Sequence, residues 1–482
     1  MKGYSMLPEA LIELAKQVRE KKAESQRIEV RSAHKGCPKL YETLSSFSNQ
    51  DDGGIILFGL DESNDFAPVG VYDLQNLQKK VSEQCKEMKP AVRAVLTDVE
   101  WEGVTICAAE IPGIDLLLRP CYYKGSGIDK GSFIRVGEAD EHMTAYEIYA
   151  LTAFRQQIHD DERPVMKAGR SALDAEQVGE YIRKREEGKP KFAMLPEAEK
   201  EKTLTVFDEE GHPSLAALMN FGIFPQSYFP GFSITAVVIP GKNRGDIDSS
   251  NARFTDNARI EGTIGDMTAE ALEFCARNMK KSTVVDRRTG ERKDRMEYPL
   301  VALREAILNA VIHRDYSAHT EGTPVQIEMF ADRIEIHSPG ALYGRMTVEQ
   351  LGNARPNLRN PVLAVMAEVQ TNTENRYSGI PTMRREMEAA GLPPPIFRNN
   401  RNEFVVIFRN EILQKEILPD GADELLAFCR VPRTRQEIAE FLGIRTVSYA
   451  MNIYVSPLIE RGMLKMTLPA NPRSRKQKYY SK

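Results

Sequence analysis

The stretch VQIEMFADRIEIHSPG, residues 325–340, reads as two strands joined at Ala331-Asp332, a β-hairpin. The segment ahead of it, REAILNAVIHRDYS (304–317), reads as a helix with a short polar exit. That helix places Glu305, Asn309 and His313 in steps of four. Such steps drift by only about 40° each, so the three side chains share one face. Ala302, Ala306, Ile307, Ala310 and Val311 cover the other sides. The polar stripe either meets solvent, as most do, or lines a ligand site with an acid, an amide and an imidazole. A closing strand, NEFVVIFRN, completes an α/β unit over 298–411.

A chain of 482 residues predicts several domains. An N-terminal helix is expected over 1–23, then an α/β pattern over 24–155 with a strand turn at Glu102-Gly103. The lysine-rich stretch 156–200 reads as a linker with helical pieces. The block 201–297 mixes helices and strands, with a hairpin expected around NARFTDNARIEGTI, and carries no assignable chemistry. Residues 412–482 read as a small helix-rich module. There is no run of about 18 apolar residues, so no membrane span is expected. The N-terminus has no secretory pattern. The six cysteines are scattered without a C-x-x-C pair. A cytoplasmic location is expected.

The first constellation is the opening helix with its downstream loops. Magnesium takes hard oxygen ligands, and the Asn309 amide can supply one. Glu305, one turn earlier, can orient or deprotonate an attacking water. The arrangement resembles the N-box of the GHKL ATPases. REAILNAVIHRDYS, FADRIEIHSPGALYG, RNPVLA, ENRYSGIPTMRREMEAAGLPPP and the closing strand match, in order, the GHKL-like domain found behind Schlafen/AlbA-like domains. The resemblance implies an α/β sandwich that binds ATP with Mg. It implies Glu305 as the hydrolytic acid, Asn309 as the magnesium ligand, and Ser338, Gly340 and Gly379 around the nucleotide. Two positions depart from that pattern. Ser338 stands where these ATPases place an adenine-binding Asp, and the phosphate lid keeps one glycine, Gly379.

The second constellation is AESQRIEVRS with FGLDES. Glu24 and Glu29 bracket a strand start, and Asp61 ends another strand. Three clustered carboxylates need a cation to stay ionised together. From AESQRIEVRS through SSFSNQDDGGIILFGLDE to GSFIRVGEAD, the chain resembles a Schlafen/AlbA-like α+β domain. In Schlafen nucleases such a triad binds metal and cuts RNA, so the resemblance implies Glu24, Glu29 and Asp61 as ligands of Mg or Mn. The other reading is a nucleic-acid-binding groove, with Arg31, Lys35 and Arg135 as phosphate contacts.

The third constellation is C-terminal. Residues 430–482 carry eleven Lys and Arg against three Glu, a net of +8 in a chain whose total is −4. RTRQEIAEFLG reads as a helix with Thr434 and Glu437 as a capping box. The order of helices and a basic hairpin resembles the winged helix-turn-helix of bacterial repressors. That implies base or phosphate contacts from Arg445, Thr446, Ser448, Tyr449, Asn452, Arg473, Arg475, Lys476 and Lys478.

Together these parts predict an α/β multidomain, DNA-binding and nucleotide-responsive transcriptional regulator, acting as a homo-oligomer. The alternative is a metal-dependent nuclease of RNA or single-stranded DNA, acting in phage defence.

Overall fold

The protein is described by a computed structural model covering residues 6–285, 292–355, 357–371, 378–411, 422–444, 446–460, 463–467 and 477–481. It forms two compact units. Met1–Ala390 with Pro394–Asn410 is one, and Gly391–Pro393 with Glu411–Lys482 is the other.

The first unit begins with a four-stranded sheet in the order Ile28–Arg31, Gly54–Phe58, Val104–Ile111, Val95–Trp101. The first pair is parallel and the others antiparallel. The alternation of a strand puts Ile56 and Phe58 on one face and Leu57 on the other. Helices Tyr41–Ser48 and Leu74–Glu87 cover the first face through Leu44, Phe47, Leu77 and Val81. Helix Pro8–Lys21 covers the second through Leu11, Ala15 and Val18, so it belongs to this domain. Glu102 and Gly103 both take positive φ, 51° and 81°, the turn that matches strand twist in a tight hairpin.

Residues 156–200, read as a linker with helical pieces, hold helices Ala175–Glu186 and Pro190–Ala193 and the start of Glu197–Thr203. Helix Ala175–Glu186 buries Val178, Tyr181 and Ile182 beneath its lysine-rich surface. The Asp161 carboxylate is fully buried and accepts the backbone N–H of Leu363 at 2.8 Å. Burial pushes that carboxyl up to about 6.

A six-stranded sheet follows, in the order Asp256–Ile260, Ile234–Val238, Val325–Met329, Arg333–Pro339, Glu403–Arg409, Ile396–Asn399. Only the Ile234–Val238 and Val325–Met329 pair is parallel. The sheet joins the block 201–297 to 298–411 across the boundary drawn between them. The hairpin expected near residue 256 is a single strand, because its partner is Ile234–Val238 rather than a segment across a tight turn. Helix Leu300–Ile312 packs on the sheet between helices Ile264–Asn278 and Gly379–Ala389.

The second unit runs helix Ala422–Phe428, strand Arg433–Thr434, helix Arg435–Phe441, a helical stretch through Val447–Ala450 to Ser456–Glu460, then strands Leu464–Met466 and Lys478–Ser481. The strands order as first, third, second. Leu425, Ile438, Val455, Leu458, Leu464 and Tyr479 form its core. The predicted capping box is present: Glu437 N–H donates to Thr434 Oγ1 at 3.3 Å, and Thr434 N–H donates to Glu437 at 2.8 Å. Among the described residues no helix is long and apolar enough to cross a membrane.

Candidate nucleotide site

Helix Leu300–Ile312 buries eight of its residues, and Glu305 and Asn309 are half-buried. Its polar stripe therefore meets a cavity rather than bulk water. That cavity, of about 180 Å³, lies between this helix, the Arg333–Pro339 strand and the start of helix Gly379–Ala389. Glu305, Asn309, His313, Ser338, Gly340 and Gly379 all line it. The remaining wall is largely apolar, including Ile336, Met346, Met383, Phe404 and Val406. A flat apolar slot with a few convergent polar groups suits a planar heterocycle.

Each polar group has a definite state. The Ser338 hydroxyl donates to the Ala310 carbonyl at 2.8 Å, which commits its proton and leaves oxygen lone pairs to accept. Desolvation lowers the His313 imidazole to about 4, with Arg359 adding to the effect, so the ring is neutral at pH 7. A methyl added at Gly379 would lie 2.8 Å from Asn309 Nδ2 and 3.0 Å from Glu305 Oε2. The backbone there approaches both polar groups closely, and a Cβ would make their side chains shift. Among the described residues, no side-chain hydrogen bond engages the Glu305 carboxylate or the Asn309 amide.

Arg314 and Asp315, read from sequence as part of a hydrogen-bonded helix exit, hold this wall in place together with Arg359 and Tyr146, which carried no such reading. Asp315 accepts from Arg359 Nη1 at 2.6 Å and from the Tyr146 hydroxyl at 3.0 Å. Burial favours the neutral acid, but Arg359 and the Ser317 donors outweigh it and keep the Asp315 carboxyl below its usual range. Arg359 also donates to the Ala341 carbonyl at 2.7 Å. Gly340, at φ +102°, leaves room for this pair, since a Cβ would sit 2.3 Å from Arg359 Nη1. Buried Arg314 ties the helix exit to the carbonyls of Gly231, Thr320 and Thr323. The segments HRDYS and RNPVLA carried these residues, but their pairing needs the fold. Tyr146, from the helix Ala145–Gln156, had no local signal at all.

The N-terminal carboxylates are arranged differently from the expectation. Glu29 is buried and contacts Arg31 and Arg135, the latter at 2.7 Å. Arg135 also reaches Glu24 at 3.5 Å and Asp140 at 3.1 Å. Burial, with Glu24 beside it, pushes the Glu29 carboxyl up to about 7 against the pull of the two arginines. Asp61 instead caps the Glu62–Asn64 turn, accepting from Ser63 N–H at 3.1 Å and Ser63 Oγ at 2.6 Å. Among the described residues it does not join Glu24 and Glu29 in a three-ligand cluster. Arg135, expected on a phosphate-facing surface, is buried at the centre of this network, because three carboxylates surround it. Arg31 is half-buried and Lys35 exposed. In the C-terminal unit Thr446, Tyr449 and Lys478 are exposed. Arg445, Arg473, Arg475 and Lys476, and the side chains of Ser448 and Asn452, lie outside the described residues.

Residues 24–144 match the family described as "Schlafen, AlbA_2". Residues 322–408 match "Putative ATP-dependent DNA helicase recG C-terminal". The chain is thus similar to Schlafen/AlbA_2 proteins in its N-terminal part and to the RecG-type C-terminal family further on. The RecG-type match begins after the helix that bears Glu305 and Asn309, and takes in Ser338, Gly340, Arg359 and Gly379. The Schlafen/AlbA_2 match takes in Glu24, Glu29, Asp61 and Arg135. Residues 423–480 match "Filamentation induced by cAMP protein Fic-like, C-terminal domain". Among solved structures, the DIP2311 protein from Corynebacterium diphtheriae is similar at 19% identity and a TM-score of 0.39, over 94% of this chain and 93% of that one. The N-terminal domain of "Putative ATP-dependent DNA Helicase RecG-related Protein" from Nitrosomonas europaea is similar at 26% identity and a TM-score of 0.23, over 28% of this chain and 93% of that one. No curated protein matches the chain.

Proposed function

We propose that this protein is a nucleic-acid-binding regulator whose central cavity takes an adenine nucleotide with magnesium. One observation carries the reading: five residues named from sequence for that task, Glu305, Asn309, Ser338, Gly340 and Gly379, line one cavity. The residues fit the group. Asn309 has a free amide oxygen for magnesium, Ser338 an acceptor for an exocyclic amine, and Glu305 a carboxylate able to orient water. The Gly379–Ala389 helix opens beside them, where backbone N–H groups favour phosphate. A bound nucleotide would supply the phosphate charge that magnesium bridges. The RecG-type match supports ATP as the nucleotide.

Binding to DNA is supported by the Schlafen/AlbA_2 and RecG-type matches and by the net +8 of residues 430–482. The helix–strand–helix–helix–hairpin order of the C-terminal unit favours a winged-helix reader. We take the working form to be a homodimer on a two-fold operator. The carboxylates of the Schlafen/AlbA_2-like region favour an ion-pair network over nuclease chemistry, because Arg135 already pairs with Glu29 and Asp140.

Calorimetric titration with Mg-ATP tests the nucleotide reading. Saturable micromolar binding, abolished by Asn309→Ala, is the expected result. No heat at millimolar ATP overturns it. Duplex-DNA binding that weakens steeply with salt, and is lost on deleting residues 420–482, is expected for the DNA reading.

A further inference from the structure

On the face of the six-stranded sheet opposite the cavity, Glu328 and Glu335 stand directly across from one another on neighbouring antiparallel strands. Their neighbours Ile327 and Ile336 point the other way, and Ile336 lines the nucleotide cavity. Like charges placed opposite on a ladder repel, so this pairing calls for a cation. His337, two residues beyond Glu335, brings its ring to the same place. Its Nε2 is 3.2 Å from Glu335 Oε2 and 3.8 Å from Glu328 Oε2. One donor atom from each of the three residues lies within 4.8 Å of the others, the one such group among the described residues.

These separations resemble the ligand-to-ligand edges of a small ion. Around a tetrahedral centre with bonds of about 2.05 Å, ligand atoms sit roughly 3.3 Å apart. The His337 tautomer is also suitable. Glu403 Oε2 lies 3.1 Å from Nδ1, and Arg244 Nη2 lies 3.3 Å from Nε2. Nδ1–H can donate to Glu403, while Nε2 faces both the Arg244 donor and the Glu335 acceptor at 3.2 Å, so a cation in place of Arg244 would take the Nε2 lone pair. A carboxylate behind a histidine whose far nitrogen faces two further carboxylates is the usual support of a metal-bound imidazole. Glu335 divides its oxygens accordingly. Oε1 pairs with Arg333 at 2.5 Å, while Oε2 faces the cluster.

Arg244 now serves as the cation. Its Nη2 is 2.8 Å from Glu328 Oε2, yet its side chain is 61% exposed, against 12%, 13% and 11% for Glu328, Glu335 and His337. It closes the group from the solvent side and can swing off without unpacking anything.

We propose that Glu328, Glu335 and His337 bind a divalent transition ion of the zinc type, which displaces Arg244. One imidazole and two carboxylates suit zinc better than magnesium, which prefers all-oxygen octahedra. The site is independent of the nucleotide reading.

The test is calorimetry of the full-length, chelator-stripped protein with ZnCl₂, with MnCl₂ and MgCl₂ in parallel. One zinc per chain is expected at micromolar affinity or better, weakened at least tenfold by His337→Ala and by Glu335→Gln. Arg244→Ala should bind zinc at least as tightly as the parent, and this surface variant keeps the test decisive if a buried variant fails to fold. Zinc binding that His337→Ala and Glu335→Gln leave unchanged overturns the proposal. So does magnesium binding tighter than zinc, or no binding below 100-fold excess in both the parent and Arg244→Ala.

Discussion

The Arg359 guanidinium lies 2.6 Å from the Asp315 carboxylate, and both are buried at the wall of the central cavity. Removing one partner of such a pair strands the other charge. Arg359→Ala should cost about 3–5 kcal/mol of folding stability. Tyr146→Phe, which removes a single hydrogen bond to the same carboxylate, should cost only about 1 kcal/mol. Urea denaturation of both variants measures the two costs, and equal losses would contradict the network drawn here.

Gly379→Ala should separate binding from stability. Its new methyl would press on the Asn309 amide and the Glu305 carboxylate, while alanine suits the start of a helix. Mg-ATP affinity should fall at least tenfold, with stability within about 1 kcal/mol of the parent. Calorimetry and thermal melting read the two effects separately.

Arg135→Met tests the reading of the N-terminal carboxylates. Without the guanidinium, Glu29 and Asp140 lose their shared counter-charge in a buried site. The variant should lose about 3–5 kcal/mol, and no metal-dependent nuclease activity should appear in either protein. Manganese-dependent cutting of RNA by the parent, lost in Glu29→Gln, would restore the nuclease reading.

His313 gives a pH dependence with a definite sign. Its folded pKa lies near 4, below the ordinary value of 6.5, so the folded state binds fewer protons than the unfolded chain between those values. Its contribution is complete above pH 6.5 and is lost as pH falls towards 4. From pH 7 to pH 5 the loss should be on the order of 1–2 kcal/mol, since His313 is only half-buried. His313→Asn should show a flatter stability profile across that window. Glu29 runs the other way: its raised carboxyl makes the folded state weaker as pH climbs towards 7.

Much of the local architecture was legible in the residues. The turn at Glu102-Gly103, the hairpin at Ala331-Asp332 and the capping box at Thr434 and Glu437 each depend on a few adjacent positions, and each is present. The row Glu305, Asn309 and His313 was legible as one helix face, and Ser338, Gly340 and Gly379 were read as companions of that face by resemblance. One cavity is lined by all six. In 156–200 a lysine-rich surface hides a narrow apolar stripe, Val178, Tyr181 and Ile182, that composition alone does not reveal.

What the sequence determined by itself was periodic and local: where helices and strands lie, which face of each is polar, and which turns join them. Those follow from backbone geometry over a few residues. The tertiary structure decided which charges meet. Arg135 was read as a surface phosphate contact and is a buried counter-ion, while Arg359, given no role, braces the cavity wall. The partners of Asp315 come from positions 146 and 359. Coulomb interactions act through space rather than along the chain, so the state of a charged group depends on neighbours that only folding brings together.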